Sequence, residues 1–261
     1  MHQLIDSHCH WDHPRLQNLQ PDLWQSCLDQ GVTQLIVPAT QASHFQRQIT
    51  LCQLNPHWHL ALGLHPYFSH IHSSDHLQLL HQAIVAHKPV AVGEIGLDFS
   101  PDMSSKRCTQ AEQEVWLLAQ LDVAQEYRLP IIVHCRKAND RLAQLLRRHA
   151  FAEGGIVHAF SGSQQQAQAF TKQGFKIGFG GTLTYERAQA MQRLAIALPL
   201  ADIVLETDAP DMPMAGSDRS LPNRPDYVPR VLQQLATLRP ESVEQIAKQT
   251  YTNTQQVLRL D

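Results

Sequence analysis

The sequence predicts an α/β protein folded as a single (β/α)8 TIM barrel over residues 1–261, and three observations support this. Short apolar runs recur eight times, amphipathic stretches separate them, and the length of 261 residues is close to the usual ~250 for this barrel. Near-continuous apolar runs are typical of parallel strands buried on both faces. An open doubly wound sheet is the alternative. No G-x-G-x-x-G follows the first run, which disfavours its dinucleotide-binding version.

The predicted elements alternate along the chain. The eight predicted strands are residues 4–5, 32–38, 60–64, 89–97, 130–135, 155–160, 175–180 and 202–208. Apolar residues between them recur at helical spacing, as in the stripe of Leu142, Leu145 and Leu146. Two further helices are predicted at 226–238 and 241–258, with Pro240 as the start signal of the last one. This regular alternation favours a closed barrel.

Composition narrows the class of protein. Hydrophobic residues make up 43% of the chain and charged residues 17%, which excludes a disordered chain, a collagen and a long coiled coil. The net charge of −3 provides no general field for DNA or for anionic membranes, so any phosphate recognition must be local. The scattered cysteines, the start without a secretory signal and the lack of a membrane-length apolar stretch predict a soluble, cytoplasmic protein with no membrane partner.

Ionisable side chains gather at the carboxyl ends of the predicted strands. The runs that carry them are IDSHCH, GLHP, GEIGLD, VHCR, VHAFSG and LETDAP. In a barrel these ends meet on one face, where the active sites of such barrels lie. Buried carboxylates and imidazoles need partners, and metal ions are the obvious ones in a chain with 16 histidines.

The strand ends divide into ligands for two divalent ions. His8 and His10 are two residues apart, so in an extended strand they point to the same side, and Cys9 points away as a packed thiol. Asp208 follows the last strand, which neighbours the first in a closed barrel, and completes the first ion site. Glu94 has two carboxylate oxygens, so we expect it to bind this first ion and also a second one, whose other ligands would be His134 and His158. Two ions ~3.5–4 Å apart would bind a bridging water and lower its pKa, which gives a hydroxide nucleophile.

At this point the sequence resembles a known family. The runs IDSHCHWD, GLHP, GEIGLDF, HCRKA, HAFSG and LETDAP are similar to the signatures of the TatD-type metal-dependent hydrolases, in the same order and over essentially the whole chain. The run LETDAPDMP followed by PNRP resembles the YjjV-type branch. Phe99 stands where members often have tyrosine, and Cys9 and Cys135 lie at positions that vary in the family. None of the three is a ligand position.

The resemblance implies a (β/α)8 barrel with a pair of divalent metal ions and phosphodiester hydrolysis, commonly as a deoxyribonuclease. It carries over the same six ligands, which are His8, His10, Glu94, His134, His158 and Asp208. The family is usually described with Mg²⁺, Mn²⁺ or Zn²⁺. Four imidazoles and two carboxylates suit Zn²⁺, Mn²⁺, Fe²⁺ or Ni²⁺ better than Mg²⁺, which prefers more oxygen ligands.

Three residues are predicted to take part in catalysis. Asp208 is expected to act as both a ligand and the base that takes the proton of water. His65 would bind phosphate or orient the water; the alternative is that it only holds a loop. Arg136 would bind a phosphate oxygen with its two-pronged guanidinium; a salt bridge to Asp98 or Glu94 is equally consistent with the sequence.

Other polar residues near the strand ends have supporting or undefined roles. Asp12 and Asp98 are predicted to orient imidazole N–H groups. His70, His72 and His76 form a separate group in the loop after strand three. A second metal site is one interpretation of that group, but a solvated loop is favoured because no strand fixes its geometry.

The fold and the metals leave the substrate open. The same site would also suit hydrolysis of a small-molecule phosphomonoester, an amide or a lactone. If DNA is the substrate, the absence of a basic stripe favours a single strand or an end reaching the metals over a duplex bound along a basic face. A protein that only binds metal is disfavoured because six ligands around an open bridging position describe a catalytic site.

Overall fold

The computed structural model describes residues 2–104 and 108–260. Its eight strands are β1 (Leu4–Asp6), β2 (Val32–Pro38), β3 (Trp58–Leu62), β4 (Ala91–Asp98), β5 (Ile131–Arg136), β6 (Gly155–Val157), β7 (Phe175–Phe179) and β8 (Ile203–Leu205). They form one sheet in sequence order, and every strand is parallel to the next. This arrangement confirms the predicted α/β class and the (β/α)8 barrel.

The helices lie between the strands and after the last one. They are α1 (Pro14–Gln17), α2 (Gln20–Asp29), α3 (Phe45–Gln53), α4 (Ser74–His87), α5 (Pro101–Ser104), α6 (Gln110–Glu126), α7 (Asn139–Arg148), α8 (Gln164–Thr171), α9 (Gln189–Ala197), α10 (Val228–Leu238) and α11 (Val243–Leu258). The last helix begins two residues later than predicted. The Ser242 side chain accepts a hydrogen bond from the Gln245 N–H, so this serine caps the helix rather than Pro240 starting it.

The barrel closes between its last and first strands. The Ser7 N–H donates a 3.0 Å hydrogen bond to the Leu205 carbonyl oxygen, and Cys9 forms a parallel bridge with Ala209. Beyond the strands, the His10 N–H donates to the Ala209 carbonyl oxygen at 2.8 Å. These bonds hold the loop after β8 against the loop after β1, which places the two chain segments that carry candidate ligands side by side.

Apolar side chains fill the barrel below the candidate site. One cluster takes one residue from each of seven strands together with two from α11, namely Ile5, Ile36, Ala61, Ala91, Ile132, Ile156, Val204, Val257 and Leu258. His134 and His158 follow Ile132 and Ile156 by two residues, so they point to the same side of the sheet. The apolar layer is thus the floor of the candidate site, and the imidazoles lie above it.

Strand β4 departs from regular pairing at Glu94. Gly93 pairs with Ile132 while Ile95 pairs with Val133, so Glu94 is an extra residue opposite β5. In a regular strand Glu94 would share the outer face of Val92, which packs in the core between sheet and helices. The irregularity lets the carboxylate turn into the barrel instead. A bulge that re-aims one side chain is a common device beside active sites.

Gly96 allows β4 and β5 to approach closely at the same level. Its φ is +141°, and a Cβ atom there would lie 2.0 Å from the His134 carbonyl oxygen. Only glycine fits such a position without moving the neighbouring strand. The sequence G-E-I-G therefore supports both the turn of Glu94 into the barrel and the close packing of the strand that carries His134.

Candidate metal centre

The structure brings all six predicted ligands to the carboxyl ends of the strands. Glu94 lies in β4 and His134 in β5, whereas His8, His10, His158 and Asp208 lie one to four residues beyond the strands that precede them. The predicted strands at 155–160 and 202–208 are therefore too long, because β6 ends at Val157 and β8 at Leu205.

Glu94 lies at the centre of this group and is 1% exposed. Its Oε2 atom faces Nε2 of His8 at 3.4 Å and Nε2 of His10 at 3.6 Å. Its Oε1 atom faces Nε2 of His158 at 2.7 Å, Nδ1 of His134 at 3.2 Å and Nε2 of His65 at 3.1 Å. Each oxygen of one carboxylate thus faces its own group of imidazoles.

Asp208 closes the His8 and His10 side of the group. Its Oδ1 atom lies 3.6 Å from Nε2 of His8 and 3.5 Å from Nε2 of His10. The Asp208 side chain is 14% exposed and borders the open pocket, whereas the His8 side chain is fully buried. The Asp208 N–H donates a 2.9 Å hydrogen bond to the His8 carbonyl oxygen, which fixes the two ligand-bearing loops together.

Three sets of side chains have donor atoms close enough to share one ion. They are His8 with His158 and Asp208, His8 with His10 and Glu94, and His65 with Glu94 and His134. Within each set the donor atoms lie within 4.8 Å of one another. The grouping differs in detail from the sequence-based division. His158 joins the His8 side as well as contacting Glu94, and His65 takes part beside His134.

The charge of Glu94 and the charges of the imidazoles around it affect each other's pKa. Burial alone would raise the pKa of Glu94, but the imidazoles, led by His65 and His158, hold it well below its usual value. Burial alone would lower the pKa of His158, but the Glu94 carboxylate outweighs burial and raises it to about 10. Burial lowers the pKa of His8 well below its usual value. His8 is therefore a neutral imidazole with a lone pair available to a metal ion.

The residues present fit a metal ion. Both ring nitrogens of His8 and Nδ1 of His158 are buried and have no hydrogen-bond partner among the described residues. Buried polar atoms without partners are costly, whereas an imidazole nitrogen coordinated to a metal is satisfied. The donor set of imidazoles and carboxylates is the usual one for divalent transition metals.

Comparison with known proteins defines the family. The family model described as TatD related DNase matches residues 5–259 of this chain. The chain belongs to the TatD family. It is 44% identical over 255 residues to YjjV of Escherichia coli K12, which is named as an uncharacterized metal-dependent hydrolase; the match covers 97% of this chain and 96% of the relative. The crystal structure of that TatD homologue superposes with a TM-score of 0.92 at 42% identity, covering 99% of this chain and 98% of the other.

A more distant TatD relative has a named activity. The protein called 3'-5' ssDNA/RNA exonuclease TatD from a Pantoea species is 33% identical over 241 residues, which is 89% of this chain and 90% of the relative. Together these matches make this TatD protein a metal-dependent hydrolase. Within residues 2–104 and 108–260, none of its helices combines the length and the apolar character needed to cross a bilayer.

The two predicted supporting carboxylates of this TatD chain differ in their contacts. Oδ2 of Asp98 lies 3.1 Å from Nε2 of His134, so this carboxylate contacts an imidazole as predicted. The prediction for Asp12 is wrong, because its carboxylate binds the Arg47 guanidinium and the Gln48 amide instead of an imidazole. Asp12 is the second residue after His10, but the chain turns there and carries its side chain towards α3.

The other two predicted catalytic residues of the TatD protein line the same pocket, whose volume is about 550 Å³. His65 is 8% exposed and reaches Glu94 directly, and burial lowers its pKa to about 4. Arg136 ends β5 with 53% of its side chain exposed and lies 3.5 Å from the Asp102 carboxylate. Its ion pair is thus with Asp102 rather than with Asp98 or Glu94, the partners that the sequence left open.

The histidines after β3 lie apart from the site of this TatD protein. Nδ1 of His70 lies 3.1 Å from Sγ of Cys108, and Nε2 of His72 lies 2.9 Å from the His65 carbonyl oxygen. Among the described residues, His70, His72 and His76 do not come together as a metal-binding group. His72 instead supports the loop that carries His65.

Sequence reasoning passed over two polar residues of this TatD chain that the structure places at the site. Arg47 in α3 lines the pocket, although an arginine on an exposed helix face carries no pattern that marks it. Glu206 is buried two residues before Asp208, its carboxylate accepts the Ala159 N–H, and burial raises its pKa to about 7. Its place in the run LETDAP was a usable signal, because a glutamate inside a buried strand end needs a partner.

Proposed function

We propose that this TatD-family hydrolase cleaves phosphodiester bonds at the end of a single-stranded nucleic acid, and that residues 1–261 act as one catalytic domain. The observation that carries the proposal is the position of Glu94, whose two oxygens face separate groups of imidazoles. A carboxylate in that position suits a bridge between two divalent ions. The exonuclease name of the Pantoea relative supports the nucleic-acid substrate.

Six side chains would hold the two ions. They are His8, His10, Glu94, His134, His158 and Asp208. When bound, such ions polarise a phosphoryl oxygen and make water a stronger acid. The imidazole-rich set favours Zn²⁺, Mn²⁺, Fe²⁺ or Ni²⁺, and Mg²⁺ remains the oxygen-preferring alternative. Asp98 would keep the His134 ring in its orientation through the contact at Nε2.

Asp208 is the proposed general base. Its Oδ1 atom borders the pocket and lies within 3.6 Å of both His8 and His10. A base must first be within reach of the proton that it takes, and a carboxylate at the pocket wall beside the ligand group meets that condition. The proton of the attacking water would move to Oδ1 of Asp208.

His65 and Arg136 would act on the phosphate. The His65 ring is fixed between Glu94 and the Tyr67 N–H, which donates to its Nδ1 at 3.0 Å. Because Nδ1 accepts that bond, the neutral ring carries its proton at Nε2, and this N–H would exchange its contact with Glu94 for one with a water or a phosphate oxygen. Arg136 lies at the pocket rim with a weak, exposed partner in Asp102, so its guanidinium is free to turn and bind a phosphate oxygen.

The size of the pocket favours an end of a strand. A volume of about 550 Å³ is within the range of sites for single small ligands, and the chain has a net charge of −3. A duplex bound along its length needs many cationic contacts to phosphates. An end that enters a pocket needs few.

A substrate panel tests this function. The protein is stripped of metal, reloaded with defined Mn²⁺, Zn²⁺ or Mg²⁺, and assayed on single-stranded and duplex oligonucleotides, bis(p-nitrophenyl) phosphate, p-nitrophenyl phosphate, an anilide and a lactone. We expect metal-dependent shortening of the single strand from one end. Turnover of the phosphomonoester, the amide or the lactone without cleavage of any phosphodiester would assign the site to that substrate class instead.

A further inference from the structure

Arg47 occupies the wall of the pocket on the side of β2 and α3. It lines the same cavity as Glu94, Asp208 and Arg136, and 46% of its side chain is exposed. The six proposed metal ligands leave it without a role. Its position beside the ligand group makes it available to any substrate that extends from the metals along this wall.

Buried groups hold Arg47 in place. Its Nη2 donates to Oδ2 of Asp12, which is 8% exposed. Gln48, 1% exposed, donates from Nε2 to Oδ1 of Asp12 at 3.2 Å and to the Pro38 carbonyl oxygen at 2.8 Å. The carboxylate is therefore fixed to the end of β2, and one edge of the guanidinium is fixed to the carboxylate.

The rest of the guanidinium remains available. Within residues 2–104 and 108–260, Asp12 is the acceptor that the structure gives to Arg47, while a guanidinium has five N–H donors. The pair with the buried Asp12 accounts for one edge of the guanidinium only, so this pairing alone does not explain why the rest of Arg47 lines the pocket. A pre-positioned donor set binds an anion at a smaller entropic cost than a free side chain.

Arg47 keeps a positive charge at neutral pH, whereas two imidazoles on the same pocket wall do not. His13 and His44 also line the pocket, and burial lowers the pKa of each below its ordinary value. Both are therefore neutral hydrogen-bonding groups at neutral pH. Arginine keeps its charge under all ordinary conditions and matches the geometry of a phosphate with two N–H donors.

We propose that Arg47 forms an anion subsite that binds a second phosphate of the substrate, next to the phosphate that is cleaved. This inference rests on the proposed phosphodiesterase function and specifies its substrate class as chains with consecutive phosphates. The metal ligands and Arg136 surround the scissile phosphate, and Arg47 holds the neighbouring one. A second phosphate site in the same pocket would favour a polynucleotide end over an isolated phosphodiester.

Three thymidine dinucleotides test the subsite. The dinucleotide d(TpT) has one phosphate, whereas d(pTpT) and d(TpTp) each have one more, at the 5′ or the 3′ end. We compare kcat/KM for cleavage of the internal bond with Mn²⁺-loaded protein. We expect the wild-type chain to prefer one of the two phosphorylated forms by about 10- to 100-fold, the scale of a hydrogen bond between charged groups. Arg47→Met should reduce that ratio to near 1.

Two further variants are the controls. Arg47→Lys keeps a charge without the two-pronged donor, so its ratio should lie between wild type and Arg47→Met. Arg259→Met removes an arginine of similar exposure that pairs with Glu153 at the opposite end of the barrel, and should keep the wild-type ratio. Similar melting temperatures of Arg47→Met and Arg259→Met would show that both fold.

The outcomes separate the inference from the proposed function. Cleavage of all three dinucleotides at equal rates by the wild-type chain would overturn the subsite alone, and so would an unchanged preference in Arg47→Met. Failure to cleave these dinucleotides and longer single strands under every metal would overturn the phosphodiesterase function, and the subsite with it.

Discussion

Nε2 of His158 lies 2.7 Å from Oε1 of Glu94, the shortest of the contacts between that carboxylate and the five imidazoles around it. The other oxygen of Glu94 faces His8 and His10. The side chains of Glu94 and His158 are almost fully buried, so neither can satisfy its charge with water. The arrangement makes Glu94 the residue on which the integrity of the candidate metal centre depends most.

Glu94→Gln should lower metal content and activity together. The substitution keeps the size of the side chain but removes the negative charge that the ions would share. Changes to groups that merely support a ligand typically cost about 10–100-fold, so loss of the bridging charge should cost at least that. Metal analysis by mass spectrometry and kcat measured on the same samples check this. The control is Glu153→Gln, which changes a glutamate before β6 at the other end of the barrel. Normal metal content together with normal turnover in Glu94→Gln would mean that another residue bridges the ions.

Asp208→Asn should lose more rate than metal. The asparagine oxygen can still coordinate weakly, but it cannot accept a proton from water. Loss of a general base typically costs about 10²–10⁴-fold in rate. His10→Asn, by contrast, removes only a ligand, so excess Mn²⁺ should restore part of its activity. The comparison is a titration of both variants with Mn²⁺, and full recovery of Asp208→Asn would identify Asp208 as a ligand only, with His65 the next candidate for the base.

Asp98→Asn should weaken metal binding without abolishing it. The Asp98 carboxylate accepts the contact from Nε2 of His134, and its contacts with His134 and Ser100 outweigh burial and hold its pKa below the ordinary value. An asparagine offers one oxygen in place of two and carries no charge. We expect the dissociation constant for at least one ion to rise about 10–100-fold. Competition with a metal-chelating dye measures that constant, and an unchanged value would limit Asp98 to a role in the β4 loop.

Metal removal should lower the stability of the fold as well as its activity. An ion that binds only the folded chain stabilises it by about 2.7 kcal/mol at a concentration 100 times the dissociation constant. For a domain of this size that corresponds to about 2–4 °C in Tm for each kcal/mol. Calorimetry with and without Mn²⁺ after chelation measures the shift. The shift should shrink in Glu94→Gln, and an equal shift in both proteins would mean that the stabilising ion lies elsewhere.

The candidate ligands were predictable because they follow from local sequence and from topology. His134 lies at the end of an apolar strand, and the parallel barrel brings such ends to one face. His8 and His10 were placed correctly on one side although β1 ends at Asp6, because the bridge between Cys9 and Ala209 continues the strand-like geometry. The buried Cys9 packs in the core as predicted.

The contacts of Asp12 and Arg47 were not predictable in the same way. They depend on how α3 packs against the loop after β1, which no spacing within either segment records. The turn of Glu94 into the barrel likewise needs the register shift against β5, and a regular strand would have pointed it outwards. Long-range packing, rather than local pattern, decides these positions.

Anomalous diffraction from crystals of the Mn²⁺-loaded protein tests the central claim most directly. The account predicts two peaks about 4 Å apart, one on each side of the Glu94 carboxylate. His8, His10 and Asp208 should lie next to one peak, and His134 with His158 next to the other. Peaks that Glu94 does not contact, or a single fully occupied ion with no second peak at saturating Mn²⁺, would contradict it.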